Sequence, residues 1–360
     1  MQTPYIHERI LFPAVEGNPR NGEGDAILLA DGRLLLVYGE FLGGSDSASA
    51  TLQAVTSPDR GRTWTDKHTL QENTGALNVM SASLLRMRNG ELLLSFLRKD
   101  GHLTQCTPFA RRSADEGRTW SPPEAVIPPD PAMYYVVNNA RTVLLRTGRI
   151  LMPACLYAGG QRAGDRVFHS DDHARTWRAS PLHPLDSNEH GPLEPGVVEL
   201  RDGRVLMWCR TGLKDIYACL SDDGGERFGP WRPLGLPCPN APASIKRLPS
   251  TGNLLCLFNS HAVPRQYWAV DRSPLTAALS SDEGLTWRIA GDLEPDRTRA
   301  YCYTSITFLP AGEILLTYYQ GRTVESVLDG QARREHHNLS HLKIALLQED
   351  WLTRPLVASR

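Results

Sequence analysis

The sequence predicts an all-β protein, a six-bladed β-propeller of four-stranded antiparallel blades, and two interlocked repeats predict it. The first is a box of fixed spelling. "LSSDEGLTWR" (279–288) sets Ser280, Asp282, Gly284, Thr286 and Trp287 at fixed offsets, and further copies start at Ser57, Ser113, Ser170 and Ser221. Successive serines are 56, 57, 51 and 59 residues apart, a period that marks a chain built from repeated supersecondary units. The second is a row of hairpin turns with glycine at 32, 90, 148, 203, 252 and 312. In each, an apolar run lies on both sides of a two-residue turn, as in "AILLADGRLLLVY". There the Asp-Gly or Asn-Gly pair supplies the positive φ that a tight turn between right-twisted strands requires.

Taken in order, each hairpin provides strands one and two of a unit, a longer loop leads to strand three, and the box turns the chain into strand four. The first unit runs through Gly32 to the box at Ser57, and the second through Gly90 to the box at Ser113. The third runs through Gly148 to a box in which Ala174 stands in the glycine place. The fourth, through Gly203, ends in a box with Arg227 for Thr and Phe228 for Trp, and the fifth runs through Gly252 to the box at Ser280. The sixth, through Gly312, has no box, so the early strand around "RILFPA" (9–14) is expected to complete it and close the ring. Closure leaves only short, protected edges. No boundary interrupts the series: residues 1–360 read as one propeller domain, and the Pro-rich "RPLGLPCPNAPASIKR" reads as a connection between blades.

Composition narrows the function. Hydrophobic residues make up 41% and charged residues 22%, which suits a soluble globular protein with a large core. With 39 basic and 40 acidic residues the net charge is -1, so no global field attracts nucleic acid or an anionic membrane. No apolar run reaches transmembrane length. Seven cysteines are scattered singly without a CxxC or a His/Cys cluster, which argues against a metal site and for thiols in a reducing compartment. No cofactor is indicated. "MQTPYIHERILFPAVEG" lacks a basic segment followed by an apolar one, so a cytoplasmic location is expected. The sequence is silent on oligomeric state.

The boxes themselves shape turns. Ser and Asp accept backbone N–H bonds, Gly takes the left-handed conformation and Trp packs between blades. An Asp repeated once per blade is not five catalytic acids.

Chemistry is expected on the opposite face, where strand one begins, strand two ends and the loops into strand three lie. Strand-one starts place Glu23, Asp25, Asn78, Asn138, Asn139, Glu194, Asn240 and Tyr303 there. Strand-two ends add Tyr38, Glu40, Arg98, Lys99, Tyr157, Arg210, His261, Tyr319 and Gln320, while Asp46 lies in a loop and Arg272 precedes a third strand. Carboxylates, arginines and tyrosines around one axis suit a sugar or sugar-acid ligand.

With these residues placed, the chain resembles the sialidase (neuraminidase) superfamily, specifically its bacterial Asp-box, or BNR-repeat, members. "EPGVVELRDGRVLMWCRT" (194–211) is similar to the family segment in which a Glu opens one strand and an Arg closes the next, falling on Glu194 and Arg210. "DRSPLTAALSSDEGLTW" is similar to the stretch with another binding Arg, Arg272, and "AYCYTSITFL" to the segment with the nucleophilic Tyr, Tyr303. Asp46 occupies the loop where the family keeps its general acid.

The resemblance implies an exo-acting, retaining glycoside hydrolase that releases a terminal sialic acid or related sugar acid. In it Tyr303 attacks, Glu194 takes the phenol proton, Asp46 protonates the leaving oxygen and three arginines grip the carboxylate. The first blade departs from the pattern. "NPRNGEGDAILL" puts Arg20 two residues further upstream than expected, with Glu23 and Asp25 beside it. Either Arg20 reaches in from a lengthened loop or the clamp has two arginines. The expected substrate-binding set is therefore Arg20, Arg210, Arg272, Glu23, Asp25, Asn78, Arg98 and Asn139. Alternative readings are a glycosidase or lyase on a neutral or uronic sugar, with Asp25, Asp46 or His261 as acid or base, and a non-catalytic carbohydrate-binding propeller. "EHHNLSHLK" (335–343), with His336, His337 and His341, is expected to be a solvated loop.

Overall fold

The computed structural model describes residues 4–184, 191, 193–260, 272–328 and 331–354; the side chains of 325–328 and 331–339 are not among the described ones. His261 therefore lies outside the described residues. The rest is strand and turn, apart from a 3-10 turn at Pro310–Gly312 and a helical turn at Asp350–Thr353. No described helix is long and apolar enough to cross a membrane.

The hairpin repeat builds an all-β propeller of antiparallel sheets. One four-stranded sheet comprises Arg20–Leu28, Leu34–Phe41, Ala50–Ser57 and Thr65–Gln71 in sequential order. Two more run Leu193–Glu199 to Arg232–Pro233 and Ser244–Arg247 to Arg288–Glu294, again in sequential order. A fourth joins Arg299–Phe308, Glu313–Leu328 and Gln331–Gln348 to the N-terminal strand Tyr5–Phe12, which pairs Arg9 with Ile344 and Ile10 with Lys343. The expected closing strand is thus in place and begins at Tyr5. The remaining nine strands, from Asn78–Arg86 to Arg178–Ala179, form one continuous sheet, because Tyr134 makes a parallel bridge to Cys106 between two antiparallel groups.

Two expectations are corrected. The His-rich 335–343 segment is no loop: it belongs to the strand Gln331–Gln348, paired antiparallel with Glu313–Leu328 in a long hairpin. The strand expected to start at Asn138 is broken, with Met133–Val136 before it and only Val143–Leu144 pairing after it.

The core lies between neighbouring sheets. Leu34, Leu36 and Tyr38 of one sheet pack with Leu315, Ile344 and Leu346 of the next. Leu206 and Trp208 meet Ile245, Leu254 and Phe258 in the same way. At roughly 1.5–3 kcal/mol per fully buried large apolar side chain, such interfaces hold each sheet rigidly against the next.

The boxes work as turn chemistry predicts. Asp59 accepts from the Thr63 N–H and Thr63 Oγ1, both at 2.7 Å, while the Gly61 N–H donates to Ser57 Oγ at 2.7 Å and Trp64 Nε1 donates to the Gly61 carbonyl at 2.9 Å. The other boxes repeat the Ser-to-Asp and Asp-to-backbone bonds. Gly61 is required twice over: its φ is +92°, and a Cβ there would stand 3.1 Å from Leu315 of the adjacent sheet. Ala174 accepts the same left-handed conformation, φ +59°.

Candidate active site

The site is built by bulges. In four inner strands the register slips between Gly22 and Asp25, Met80 and Ser83, Leu193 and Gly196, and Cys302 and Ser305. Each slip contains one non-glycine residue at positive φ: Glu23 (+52°), Ser81 (+61°), Glu194 (+52°) and Tyr303 (+58°). An extra residue bends the strand and re-aims its side chain. The left-handed backbone costs on the order of 1–3 kcal/mol at each position, strain of the kind that collects at functional sites.

Two of these residues meet directly. The Tyr303 hydroxyl donates to Glu194 Oε1 at 3.1 Å. The same oxygen accepts from Arg210 Nη2 at 2.9 Å, and Oε2 accepts from Asn138 at 3.1 Å. The Arg272 guanidinium lies 5.3 Å from the Tyr303 ring centre and donates to Cys302 Sγ at 2.9 Å. Burial, reinforced by Glu194, pushes the Tyr303 phenol far above its ordinary value, although Arg210 and Arg272 pull the other way. The phenol is thus neutral at rest, with a proton acceptor in contact.

A second group faces it across a ring contact, Tyr303 and Tyr319 meeting edge-on with centroids 5.9 Å apart. Arg20 donates from Nε to the Tyr319 hydroxyl at 2.8 Å, from Nη2 to Glu23 at 2.8 Å and from Nη1 to Asp46. Ser81 Oγ donates to the other Glu23 oxygen at 2.7 Å. The Asp46 loop is bolted through its main chain: Asn78 Nδ2 and Lys99 Nζ both donate to the Asp46 carbonyl at 2.9 Å. Burial raises the Glu23 carboxyl, with Arg20 and Ser81 opposing. Burial also acts on Asp46, but Arg20, Lys99 and Arg272 outweigh it and hold that carboxyl below its ordinary value. A cavity of about 320 Å³ opens beside Arg20, lined also by Ala14, Pro19, Gly44 and Ser340.

Of the residues expected from sequence, Arg20, Glu23, Asp46, Glu194, Arg210, Arg272 and Tyr303 come together. Arg20 does so as the first residue of the strand Arg20–Leu28, not from a lengthened loop. Asn78 serves by anchoring the Asp46 loop. Three others are committed elsewhere. Arg98 pairs with Asp100 at 2.9 Å and lies over the Phe109 ring, 4.7 Å from its centre. Asn139 Nδ2 ties the Gly24 carbonyl at 2.7 Å to the Tyr303 carbonyl at 3.1 Å. Asp25, 2% exposed, accepts from the Leu84 N–H at 2.8 Å and from Ser305 Oγ at 2.5 Å, joining three inner strands. Sequence reasoning missed Ser81, Cys302 and the Phe41 ring beneath Arg20, 4.3 Å from its guanidinium carbon. Ser81 was available, because it stands nine residues before its hairpin glycine, as Glu23, Glu194 and Tyr303 do.

A larger depression, about 630 Å³, lies among hairpin and box turns on the other face, lined by Thr147, Gly148, Asp171, Gly203 and Asp223. Its Arg149 is spent on Asp171 at 2.8 Å and on Glu226 at 3.0 Å. The described residues contain no cluster of three or more His, Cys, Asp or Glu suited to a metal.

Gly22 sets how closely Tyr319 approaches. A Cβ at Gly22 would fall inside the van der Waals envelope of the Tyr319 ring. Gly22→Ala is expected to destabilise the fold by about 1–3 kcal/mol, as overpacking does, read as a lower urea midpoint. An unchanged midpoint would show that the ring moves freely, and Arg20 with it.

Comparison with known proteins identifies the family of the repeats. Residues 98–316 match the BNR repeat-like domain. A sialidase from Micromonospora viridifaciens is 32% identical over 225 residues, covering 58% of this chain and 33% of that protein, so the chain spans about a third of this curated relative's length. Among solved structures, the intramolecular trans-sialidase from Ruminococcus gnavus, in complex with oseltamivir carboxylate, has a TM-score of 0.73 at 14% identity, covering 99% of this chain and 100% of that one. A protein of unknown function from Dyadobacter fermentans also scores 0.73, at 18% identity, covering 96% and 98%. The structural likenesses speak to the fold alone. The match over more than half of its length places the chain in the BNR repeat-like domain family, as a sialidase-like member.

Proposed function

We propose that the protein is an exo-acting glycoside hydrolase that releases a terminal sialic acid or related sugar acid from a glycan with retention of configuration. One observation carries this reading: the Tyr303 hydroxyl rests on Glu194 at 3.1 Å, with Arg210 on the same carboxylate oxygen and Arg272 5.3 Å from the tyrosine ring centre, in a chain 32% identical to a sialidase over 225 residues. Glu194 takes the phenol proton as Tyr303 attacks the anomeric carbon, since a phenol with an ordinary pKa near 10 needs a base in contact. A neutral nucleophile suits a carbon bearing a carboxylate, which would repel a second carboxylate. In this reading Asp46, a carboxylate at rest among Arg20, Lys99 and Arg272, gives the leaving oxygen a proton after first taking one up. The glycosidic bond breaks as the Tyr303–sugar bond forms; water then displaces Tyr303, passing one proton to Asp46 while Glu194 returns its proton to the phenol. The scaffold in this reading is one domain of six blades, the nine-stranded sheet being two blades joined by the single Tyr134 bridge.

A second reading, a neutral or uronic sugar, is favoured by the two carboxylates, Glu23 and Asp46, that surround Arg20. Incubation with aryl glycosides of sialic, glucuronic and neutral sugars, with NMR following the first anomer released, decides between them. Release of sialic acid with retained configuration supports the first reading. Turnover of only the uronic or neutral glycoside replaces it with the second. Binding of sugar without turnover of any would leave a carbohydrate-binding propeller.

A further inference from the structure

The inner segment of the third blade leaves the ladder between Met133–Val136 and Val143–Leu144, where the bulged inner strands stay paired. Ala140 there takes a left-handed φ of +56°. The polar groups of residues 138–141 go sideways instead, and they reach all four bulged strands. Asn138 Nδ2 donates to Glu194 Oε2 at 3.1 Å. Asn139 Nδ2 ties the Gly24 carbonyl, beside Glu23, to the Tyr303 carbonyl. At the Ser81 slip, the Ala140 N–H donates to the Ala82 carbonyl at 3.1 Å and the Arg141 N–H to Ser83 Oγ at 3.0 Å. The break in this strand is thus where the four bulges are held together.

The Arg141 side chain completes the set from beneath. Arg141 stands seven residues before Gly148, nearer its hairpin turn than Tyr303, which stands nine before Gly312, and it is 4% exposed. Nη1 donates to Ser244 Oγ at 3.1 Å. Ser244 in turn donates to the Thr304 carbonyl at 2.7 Å and accepts from Thr304 Oγ1 at 2.8 Å, gripping the chain directly after Tyr303. Nη2 donates to the Ala243 carbonyl at 2.6 Å, an oxygen shared with Trp208 Nε1 at 3.1 Å, and Nε is buried without a partner. The guanidinium carbon lies 5.6 Å from the Trp208 ring centre. That ring packs so closely on Gly196, at the Glu194 slip, that a Cβ there would fall inside it. A buried cation resting on neutral oxygens is costly. Burial pulls the Arg141 guanidinium down to about 10, and Glu194 is the first of the groups that oppose this, with Tyr303 acting in the same sense.

We propose that residues 138–141 are the keystone of the site, and that Arg141 is a positioning residue which, through Ser244 and Trp208, fixes the two bulges that set the Tyr303 hydroxyl on Glu194. The inference rests on the glycosidase reading above and adds to it the residue that holds its nucleophile in place. Arg141 meets the site from the hairpin side and touches no substrate. Its effect falls on the reaction and not on binding, because a small displacement of a reacting oxygen slows attack while the groups that hold the sugar stay where they are.

The experiment compares wild type, Arg141→Met, Arg141→Lys and Ser244→Ala, with urea unfolding run on each. The first measurement needs no ligand. Carbon-13 NMR of protein labelled at tyrosine Cζ gives a line for Tyr303, identified by its loss in Tyr303→Phe, whose position reports the hydrogen bond to Glu194. The line is expected to move toward that of solvent-exposed tyrosine in Arg141→Met and Ser244→Ala. It should return toward wild type in Arg141→Lys, which keeps a cationic donor. The second measurement separates turnover from binding. Turnover of an aryl glycoside of sialic acid is expected to fall about 30-fold or more in Arg141→Met and to recover to within about 5-fold of wild type in Arg141→Lys. Calorimetric binding of the glycal of sialic acid should stay within about 3-fold in every variant. Turnover of Arg141→Met at the wild-type rate, an unmoved Tyr303 line, or glycal binding that weakens in step with turnover each overturns the proposal. A lowered urea midpoint beside an unmoved line assigns Arg141 to the frame alone. If Arg141→Met does not fold, Ser244→Ala carries the same test, since it cuts the link and leaves the charge. A wild type that turns over no sialic acid glycoside refutes the sialic acid reading instead, and the Tyr303 line alone then decides what Arg141 does.

Discussion

Replacing Tyr303 by phenylalanine is expected to lower turnover of a sugar-acid glycoside about 10³-fold or more while leaving glycal affinity within a few-fold. The substitution removes one oxygen and little volume. That oxygen is the atom donating to Glu194, and it is the proposed nucleophile. Substrate positioning and general acid catalysis, the latter contributing roughly 10²–10⁴-fold, do not depend on the phenol oxygen, so some turnover survives through direct attack by water. The arginines and the T-shaped contact with Tyr319 remain, so binding should persist. Glu194→Gln is the companion variant. It keeps an acceptor oxygen for the phenol but has no basicity, and its loss should approach that of Tyr303→Phe without adding to it, because the two act as one unit. Fluorogenic turnover with calorimetric glycal binding on the same samples checks both. Turnover in Tyr303→Phe at wild-type rates would remove the tyrosine from the chemistry and shift attention to Glu23 and Asp46.

How far the sequence carries depends on the physics at each position. Hairpin glycines at 32, 90, 148, 203, 252 and 312 all have positive φ, between +70° and +96°, because a two-residue turn has few solutions and sequence spells them locally. Box turns were legible for the same reason, down to Ala174 in the glycine place. The bulges were hidden, since one inserted residue leaves the apolar pattern almost unchanged. Only the shared nine-residue spacing to the hairpin glycine reveals Glu23, Ser81, Glu194 and Tyr303 as equivalent. Choosing between Arg98 and Lys99 required the strand's alternation. Neighbouring residues point to opposite faces, and it is Lys99, not Arg98, that reaches the Asp46 loop. The 335–343 segment reads as a loop because its polar residues show no alternation, yet its backbone continues a ladder already running from Gln348.

Asp25 shows how a carboxylate expected at the ligand can belong to the frame instead, and its removal is expected to cost more stability than Gly22→Ala does. Its Oδ1 accepts from the Ala26 N–H at 3.0 Å and from Ser305 Oγ at 2.5 Å, and its Oδ2 from the Leu84 N–H at 2.8 Å. Burial raises its carboxyl, while Lys246, half-buried and donating to the Ile306 carbonyl at 2.7 Å, pulls it back down. Asp25→Ala would orphan the Leu84 amide and the Ser305 hydroxyl and leave Lys246 without its counter-charge. Each buried donor left without its acceptor costs about 1–3 kcal/mol, and Asp25→Ala leaves more than one. Asp25→Asn should cost less, since its oxygen still accepts from Ser305, but its amide cannot accept from Leu84. Because burial lifts the folded-state value above the unfolded one, the native protein binds this proton more tightly, and Asp25 opposes folding more as pH rises through that interval. The penalty of Asp25→Asn should accordingly shrink with rising pH, set against a carboxylate that has itself become costly. Urea unfolding of both variants at two pH values measures this. A wild-type midpoint for Asp25→Ala would mean the three strands do not depend on it, and would return Asp25 to the substrate-binding set.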